Sequence, residues 1–147
     1  TGSDTAMDNP QSARPVFGAE RASRFAFVLF DQFTLLSYAG AVEVLRHANR
    51  STGRQLYQWR NLSIDGAPVQ CSAGLSIEPD GGLEATVPGE TIVLCSGLDV
   101  QRAVTQPLLA WLRREARRGA RVGARCTATH VLAKAGLLDG LAETVHL

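Results

Sequence analysis

The strongest hydrophobic signal in the chain is a set of short apolar runs alternating with helical periodicities. Phe25–Phe30 (FAFVLF) and Thr91–Cys95 (TIVLC) are apolar nearly throughout, the pattern of strands buried on both faces. A third run, Val122-Gly123-Ala124, predicts a strand over 122–125. Between the first two, Ala41, Val42, Leu45 and Ala48 recur at three and four residues. That spacing predicts a helix over 37–49 with one buried face, ended by Asn49 and Gly53. Tyr57–Ile64 alternates as a strand does and runs into an Asp65-Gly66 turn. Two short extended pieces, 69–71 and 75–78, flank Ala73-Gly74 and lead into a loop at 79–82. From Val100 to Arg118, the spacing of Val104, Leu108, Leu109, Leu112 and Ala116 predicts a helix that Gly119 stops. Pro107 inside that span predicts a break or a fresh start. Beyond the third run, 127–135 reads as a helix and 143–146 as the opening of another strand.

Strand and helix in alternation, with short links, predict an α/β fold: a doubly wound, mostly parallel sheet flanked by helices. A chain of 147 residues with 45% hydrophobic content is long enough for one globular core. The domain is expected over 25–147. Residues 1–24 read as a cloning scar (TGSDTAMD) followed by a disordered leader. A parallel sheet rarely ends on an uncovered strand, so the domain is expected to be truncated at its C-terminus. No apolar run approaches the roughly 18 residues a membrane helix needs, and no secretory signal is visible. Three cysteines at long spacings do not make a disulfide framework, and a reducing cytoplasm fits them best. A net charge of +1 makes no electrostatic case for gripping nucleic acid, and the Arg113–Arg118 run reads as a solvated helix face. Trp59 and Trp111 read as core or interface residues.

In a doubly wound sheet, ligands bind beyond the carboxyl ends of the strands. Asp31–Phe33, Ser96-Gly97 and Cys126 all follow predicted strands in that way. Cys126 lies at the seam between a buried strand and a helix, where first-turn N–H groups favour a thiolate or a bound anion. Backbone N–H groups at Gly97 and Thr127 could form an anion or oxyanion hole facing it. Equally, Gly97 could simply make a tight turn and Cys126 could be a small buried hydrophobe. His130, one helical turn past the cysteine, and His146, near the next strand, are candidate bases, although a structural role is the commoner fate of each. His47 reads as an exposed helix residue. Cys126 and His130 lack a third partner, so no metal site is expected, and no cofactor motif appears. Cys95 and Cys126 end strands that could be neighbours, which leaves a transient disulfide as a redox reading.

The segment VGARCTATHVLAKAGLLDG followed by ETVH resembles the nucleophile elbow of the ThiJ/PfpI superfamily, whose fold is that of class I glutamine amidotransferases. More closely, the chain resembles the ligand-sensing N-terminal domain of AraC/XylS-type transcriptional regulators. FVLFDQFTLLSYAGAVEVLRHAN is similar to that group's first strand and helix, TIVLCSGLD to its oxyanion-loop strand, and LLAWLRREARRGARVGARC to its helix and elbow. The resemblance runs from about Phe25 to Leu147.

Enzymes of the superfamily place a carboxylate beside the elbow cysteine, where this chain has Ser37. A hydroxyl cannot accept a proton as a carboxylate does near pH 7. The small glycine usual two residues past the cysteine is Ala128, and a double glycine is reduced to Ser96-Gly97. These departures cost catalysis more than they cost binding. The expected function is therefore sensing and dimerisation in a cytoplasmic transcriptional regulator, not catalysis. A small polar effector, such as an amino acid or quaternary amine, would be bound by Ser37, Ser96, Gly97, Cys126, Thr127 and His130. Regulators of this group read DNA through a C-terminal helix-turn-helix pair absent from these 147 residues, so DNA would be a partner of the whole protein only. The alternative is a stand-alone thiol enzyme of hydratase, amidase or deglycase type, with Cys126 as nucleophile and His146 or His130 assisting.

Overall fold

The computed structural model describes residues 22–97, 100–125 and the turn residue Gly136. Four strands form one parallel sheet: β1 (Ser23–Leu29), β2 (Tyr57–Ser63), β5 (Glu90–Cys95) and β6 (Arg121–Arg125). They lie side by side in the order β2-β1-β5-β6. A separate two-stranded antiparallel hairpin is made by β3 (Val69–Gln70) and β4 (Ser76–Ile77). Helix α1 (Leu35–Thr52) links β1 to β2, and α2 (Gln106–Arg117) links β5 to β6.

The apolar runs owe their unbroken character to cover on both faces of the sheet. Phe27 and Leu29 of β1, with Val93 and Cys95 of β5, pack under α1 through Leu35, Tyr38, Ala41, Val42 and Leu45. The alternate residues Ala26, Val28, Ile92, Leu94, Val122 and Ala124 pack under α2 through Leu108, Leu109, Trp111 and Leu112. The two helices differ in depth. No residue of α1 is fully buried, whereas four of α2 are, Trp111 among them. Trp59 of β2 is half-buried on the α1 side.

Several element boundaries depart from the sequence expectation. Helix α1 begins at Leu35, two residues before the expected start at Ser37, because extended Thr34 sets its N-cap. It then runs on to Thr52, and Gly53, left-handed at φ 66°, closes it with an N–H bond to the Arg50 carbonyl. Asn49, read as an end signal, instead lies inside the helix and brackets the start of β2. Its Nδ2 donates to the Tyr57 carbonyl at 2.9 Å and its Oδ1 accepts the Tyr57 N–H at 3.0 Å. The expected long helix over 100–118 is divided as Pro107 predicts. A 3-10 turn over Val100–Ala103 is followed by α2, whose first turn holds the proline and whose N-cap, Thr105, accepts the Leu108 N–H. The helix expected over 127–135 and the strand over 143–146 lie outside the described residues, as does the leader before residue 22.

Candidate functional site

The strand order reverses at β1. The chain leaves β1 for β2 on one side and returns to β5 on the other, with α1 and α2 on opposite faces. Such a switch point opens a crevice at the carboxyl ends of the two diverging strands. Here those ends are flush, because Leu29 of β1 lies beside Cys95 of β5, which lies beside Arg125 of β6.

The loop from β1 into α1 is folded tightly over this edge. Phe30 N–H donates to the Cys95 carbonyl at 3.0 Å, and Thr34 N–H donates to the Ser96 carbonyl at 3.2 Å. Between them Gln32 takes a left-handed conformation at φ 66°, uncommon for a residue with a Cβ. Buried Gly97 faces this loop without a side chain because a Cβ there would run into the Gln32 carbonyl oxygen. Gly97 thus permits two backbones to meet across the crevice, beyond the tight turn expected of it.

The hairpin holds the same loop from a third side. Gln32 N–H donates to the Gln70 carbonyl at 2.6 Å, and the two side-chain amides meet at 3.3 Å. Ser72 N–H donates to the Phe33 carbonyl at 2.8 Å, and Ser72 Oγ accepts the Leu35 N–H at 3.4 Å. Gln32 lies in the Asp31–Phe33 stretch that the sequence singles out, whereas Gln70 and Ser72 are residues that sequence reasoning missed. The only local signal was the Ala73-Gly74 turn, and nothing in it tells which loop the hairpin will hold.

Helix α1 delivers its N-terminus to this crevice. Thr34 makes no side-chain cap and no acidic residue occupies the first turn. Among the described residues, the N–H groups of Leu36 and Ser37 have no acceptor. The positive end of the helix dipole and these orphan donors suit a carboxylate or other anion. Ser37 lies in this first turn, three residues past the Thr34–Ser96 bond, so the structure brings Ser37, Ser96 and Gly97 to one edge of the sheet. Beneath them Tyr38 donates its hydroxyl to Asn61 Oδ1 at 2.8 Å and packs edge-on against Phe27 and Phe33. Burial raises its phenol above the ordinary tyrosine value, against the pull of the Asn61 bond, with smaller upward contributions from Cys95 and Asp80.

Cys126, Thr127, His130, His146 and Ala128 lie outside the described residues. Strand β6 ends at Arg125, the residue before Cys126 in the sequence. Cys95 is buried at the end of β5 with Arg125 as its lateral neighbour, and Cys71 is buried beside Phe33. His47 is exposed on α1, as expected, in contact with Ser51 at 3.2 Å. No group of three or more metal-ligating side chains occurs among the described residues, and none of their helices is long and apolar enough to cross a membrane.

Residues 23–147 match the DJ-1/PfpI family. The chain belongs to that family. The helix-turn-helix transcriptional regulator GbdR of Pseudomonas aeruginosa is 48% identical to this DJ-1/PfpI chain over 120 residues, 82% of its length. The regulator CdhR of the same organism is 43% identical over 122 residues, 83% of its length. Those stretches are 33% and 36% of the regulators, so the chain spans about a third of the curated relatives it matches. Among solved structures, an AraC family transcriptional regulator from Pseudomonas putida superposes with a TM-score of 0.71 at 28% identity, over 80% of this chain and 63% of that one. Family and relatives bear out the resemblance to the ThiJ/PfpI-type domain of AraC-type regulators. The fold is the expected parallel sheet flanked by helices.

Proposed function

We propose that this DJ-1/PfpI domain is the effector-sensing part of an AraC-type transcriptional regulator and does not act as an enzyme. The observation that carries this reading is the first turn of α1. It faces the switch-point edge with Ser37 and two N–H groups lacking acceptors among the described residues, and with no acidic residue. That is chemistry for holding a carboxylate, not for moving a proton. The effector we assign is a small zwitterion, an amino acid or a quaternary-amine carboxylate. Ser37, Ser96 and Gly97 form one side of its site, and Cys126, Thr127 and His130 complete it. Regulators named in the comparison, such as GbdR, are of helix-turn-helix type, which supports DNA as a partner of the whole protein.

Binding would act by shifting a dimer or interdomain equilibrium, which requires different affinities for the two states. A thermal shift titration with amino acids and betaines tests the reading. A ligand at a hundredfold excess over its Kd adds about 2.7 kcal/mol to native stability. Absence of any stabilisation across both classes counts against the effector assigned here.

The thiol-enzyme reading has one observation in its favour: Cys126 follows directly on the described strand β6, Arg121–Arg125, in the sequence, as an elbow nucleophile follows its strand. It requires that Cys126→Ser abolish turnover of a small amide or aldehyde-derived substrate. Turnover that survives this substitution excludes it.

A further inference from the structure

The amino end of the sheet holds a cleft of about 220 Å³, lined by the opening residues of β1, β2 and β5 and by Val87. Strand register and alternation decide which side chains share its floor. Arg24 lies between Gln58 and Glu90, and Ala26 lies between Arg60 and Ile92. Ala26 and Ile92 pack under α2, so Arg24, Gln58, Arg60 and Glu90 all project from that same face. Phe25 and Trp59 pack on the opposite, α1 face.

The charges on this floor are unequally engaged. Both carboxylate oxygens of buried Glu90 are taken within the fold. Oε1 accepts from Arg60 Nη2 at 2.8 Å and from the Val87 N–H at 3.0 Å, and Oε2 accepts from Arg60 Nε at 2.9 Å. That clasp crosses β1 where the strand carries the small side chain of Ala26. Arg24 is the lateral neighbour of Glu90, yet its exposed guanidinium makes no hydrogen bond or ion pair among the described residues. Arg60 Nη1 is unused in the same sense, because Nε and Nη2 serve Glu90 and the Ala85 carbonyl. The Cα atoms of Arg24 and Arg60 are one strand and two residues apart, about 8 Å, so both guanidiniums can reach one small ligand. Two guanidiniums against one carboxylate leave the floor with a single net positive charge. Val87, partly exposed beside it, supplies an apolar wall.

We propose that this cleft binds a small organic monocarboxylate with a short aliphatic body. The planar fork of Arg24 matches a carboxylate bidentately, Arg60 Nη1 donates to it from the side, and Val87 covers the carbon chain. A single net positive charge balances a monoanion, whereas a phosphate dianion would bring uncompensated charge close to Glu90. The cleft lies at the far end of β5 from the crevice at Ser37 and Gly97, about 17 Å away along the strand. Its chemistry stands whether or not that crevice senses an effector, and the two sites can be filled together.

The test is an amide NMR titration of the 147-residue chain with sodium butyrate, at an ionic strength held constant with sodium chloride. A small anion held by one guanidinium fork is expected to saturate in the millimolar range. The shifts should centre on residues 24–25, 58–60 and 87–90. Acetate should bind about tenfold more weakly, since each buried CH2 contributes up to about fourfold. Arg24→Gln should weaken butyrate binding by about tenfold or more. Gln58→Glu, which sets a carboxylate beside Arg24 within the sheet, should do the same. Arg102→Gln removes an equal charge beyond the carboxyl end of β5 and should lose nothing. Retained amide dispersion shows that each variant is folded. Shifts that do not saturate, unchanged affinity in Arg24→Gln, or shifts centred on the crevice residues 32–37 and 96–97 overturn the proposal. Tighter binding of inorganic phosphate than of butyrate overturns it as well. A chain that binds butyrate here and answers no effector upholds this site and removes the sensing function alone.

Discussion

The two ends of the parallel strands use polar groups in opposite ways. At the amino end, a buried charge is satisfied within the fold: Arg60 grips the buried Glu90, and Glu90 also accepts the Val87 N–H at 3.0 Å. At the carboxyl end, few charges take part among the described residues. The edge is built from backbone carbonyls, a left-handed glutamine, a glycine that permits contact, and a helix start without a side-chain cap. The first arrangement holds strands in place. Among the described residues, the second leaves the Leu36 and Ser37 N–H groups without an acceptor. A buried ion pair needs both members, whereas an uncapped helix start tolerates vacancy because water or ligand can serve it.

That contrast can be broken first at the amino end. Glu90→Ala leaves Arg60 without its carboxylate and the Val87 N–H without an acceptor. It should cost about 3 kcal/mol in urea unfolding, near the lower bound for a buried pair because Arg60 keeps 34% of its side chain exposed. Effector binding at the other end should survive in whatever fraction remains folded. A loss under 1 kcal/mol would show that the pair is not a structural clasp.

At the carboxyl end, Gly97→Ala should cost about 2 kcal/mol, since the Gln32 carbonyl must move to admit a methyl group. It should also remove any effector response, while Glu90→Ala should not. Equal responses in the two variants would mean that the crevice is not the site.

Gln32 offers a finer comparison within that edge. Gln32→Ala keeps the left-handed backbone and discards the amide contact to Gln70, whereas Gln32→Gly also relieves the steric cost of a Cβ. The glycine variant should be more stable than the alanine variant by about 1 kcal/mol. The reverse order would show that the loop is not strained in solution.

The smallest effect is that of pH. The raised phenol of Tyr38 means that the native state holds its proton more firmly than the unfolded chain does. The resulting stability is fully present below the ordinary tyrosine range and is lost as pH rises through the folded value. Tyr38→Phe should lower stability by about 1 kcal/mol at neutral pH through loss of the Asn61 bond, and should flatten the fall in stability above pH ~10. An unchanged alkaline profile would place the titration elsewhere.

What could be read in the chain beforehand follows from the range of the forces involved. Strands β1 and β5 were legible because burial on both faces makes an apolar run, and the break at Pro107 because proline acts on its own neighbours. The start of α1 at Leu35 was missed because no capping side chain marks it. Contacts across long sequence separation leave no local trace. Gln32 meets Gln70 across 38 residues, and Gly97 is glycine because of a carbonyl 65 residues earlier. Ser37, Ser96 and Gly97 could be placed together through the family resemblance, since periodicity fixed their elements and not their adjacency. Arg24, Gln58 and Glu90 became lateral neighbours only once the order β2-β1-β5-β6 was known.

We propose a carboxyl-end crevice that binds a carboxylate and does not use one. Ser37→Glu restores the acidic residue that family enzymes place there and sets a like charge against the ligand. A thermal shift titration with glycine betaine and a panel of amino acids, run on the parent chain and on Ser37→Glu, tests this directly. A saturable rise in Tm is expected for at least one of these zwitterions in the parent chain, and none in Ser37→Glu. Equal stabilisation of the two proteins, or of neither, would contradict it.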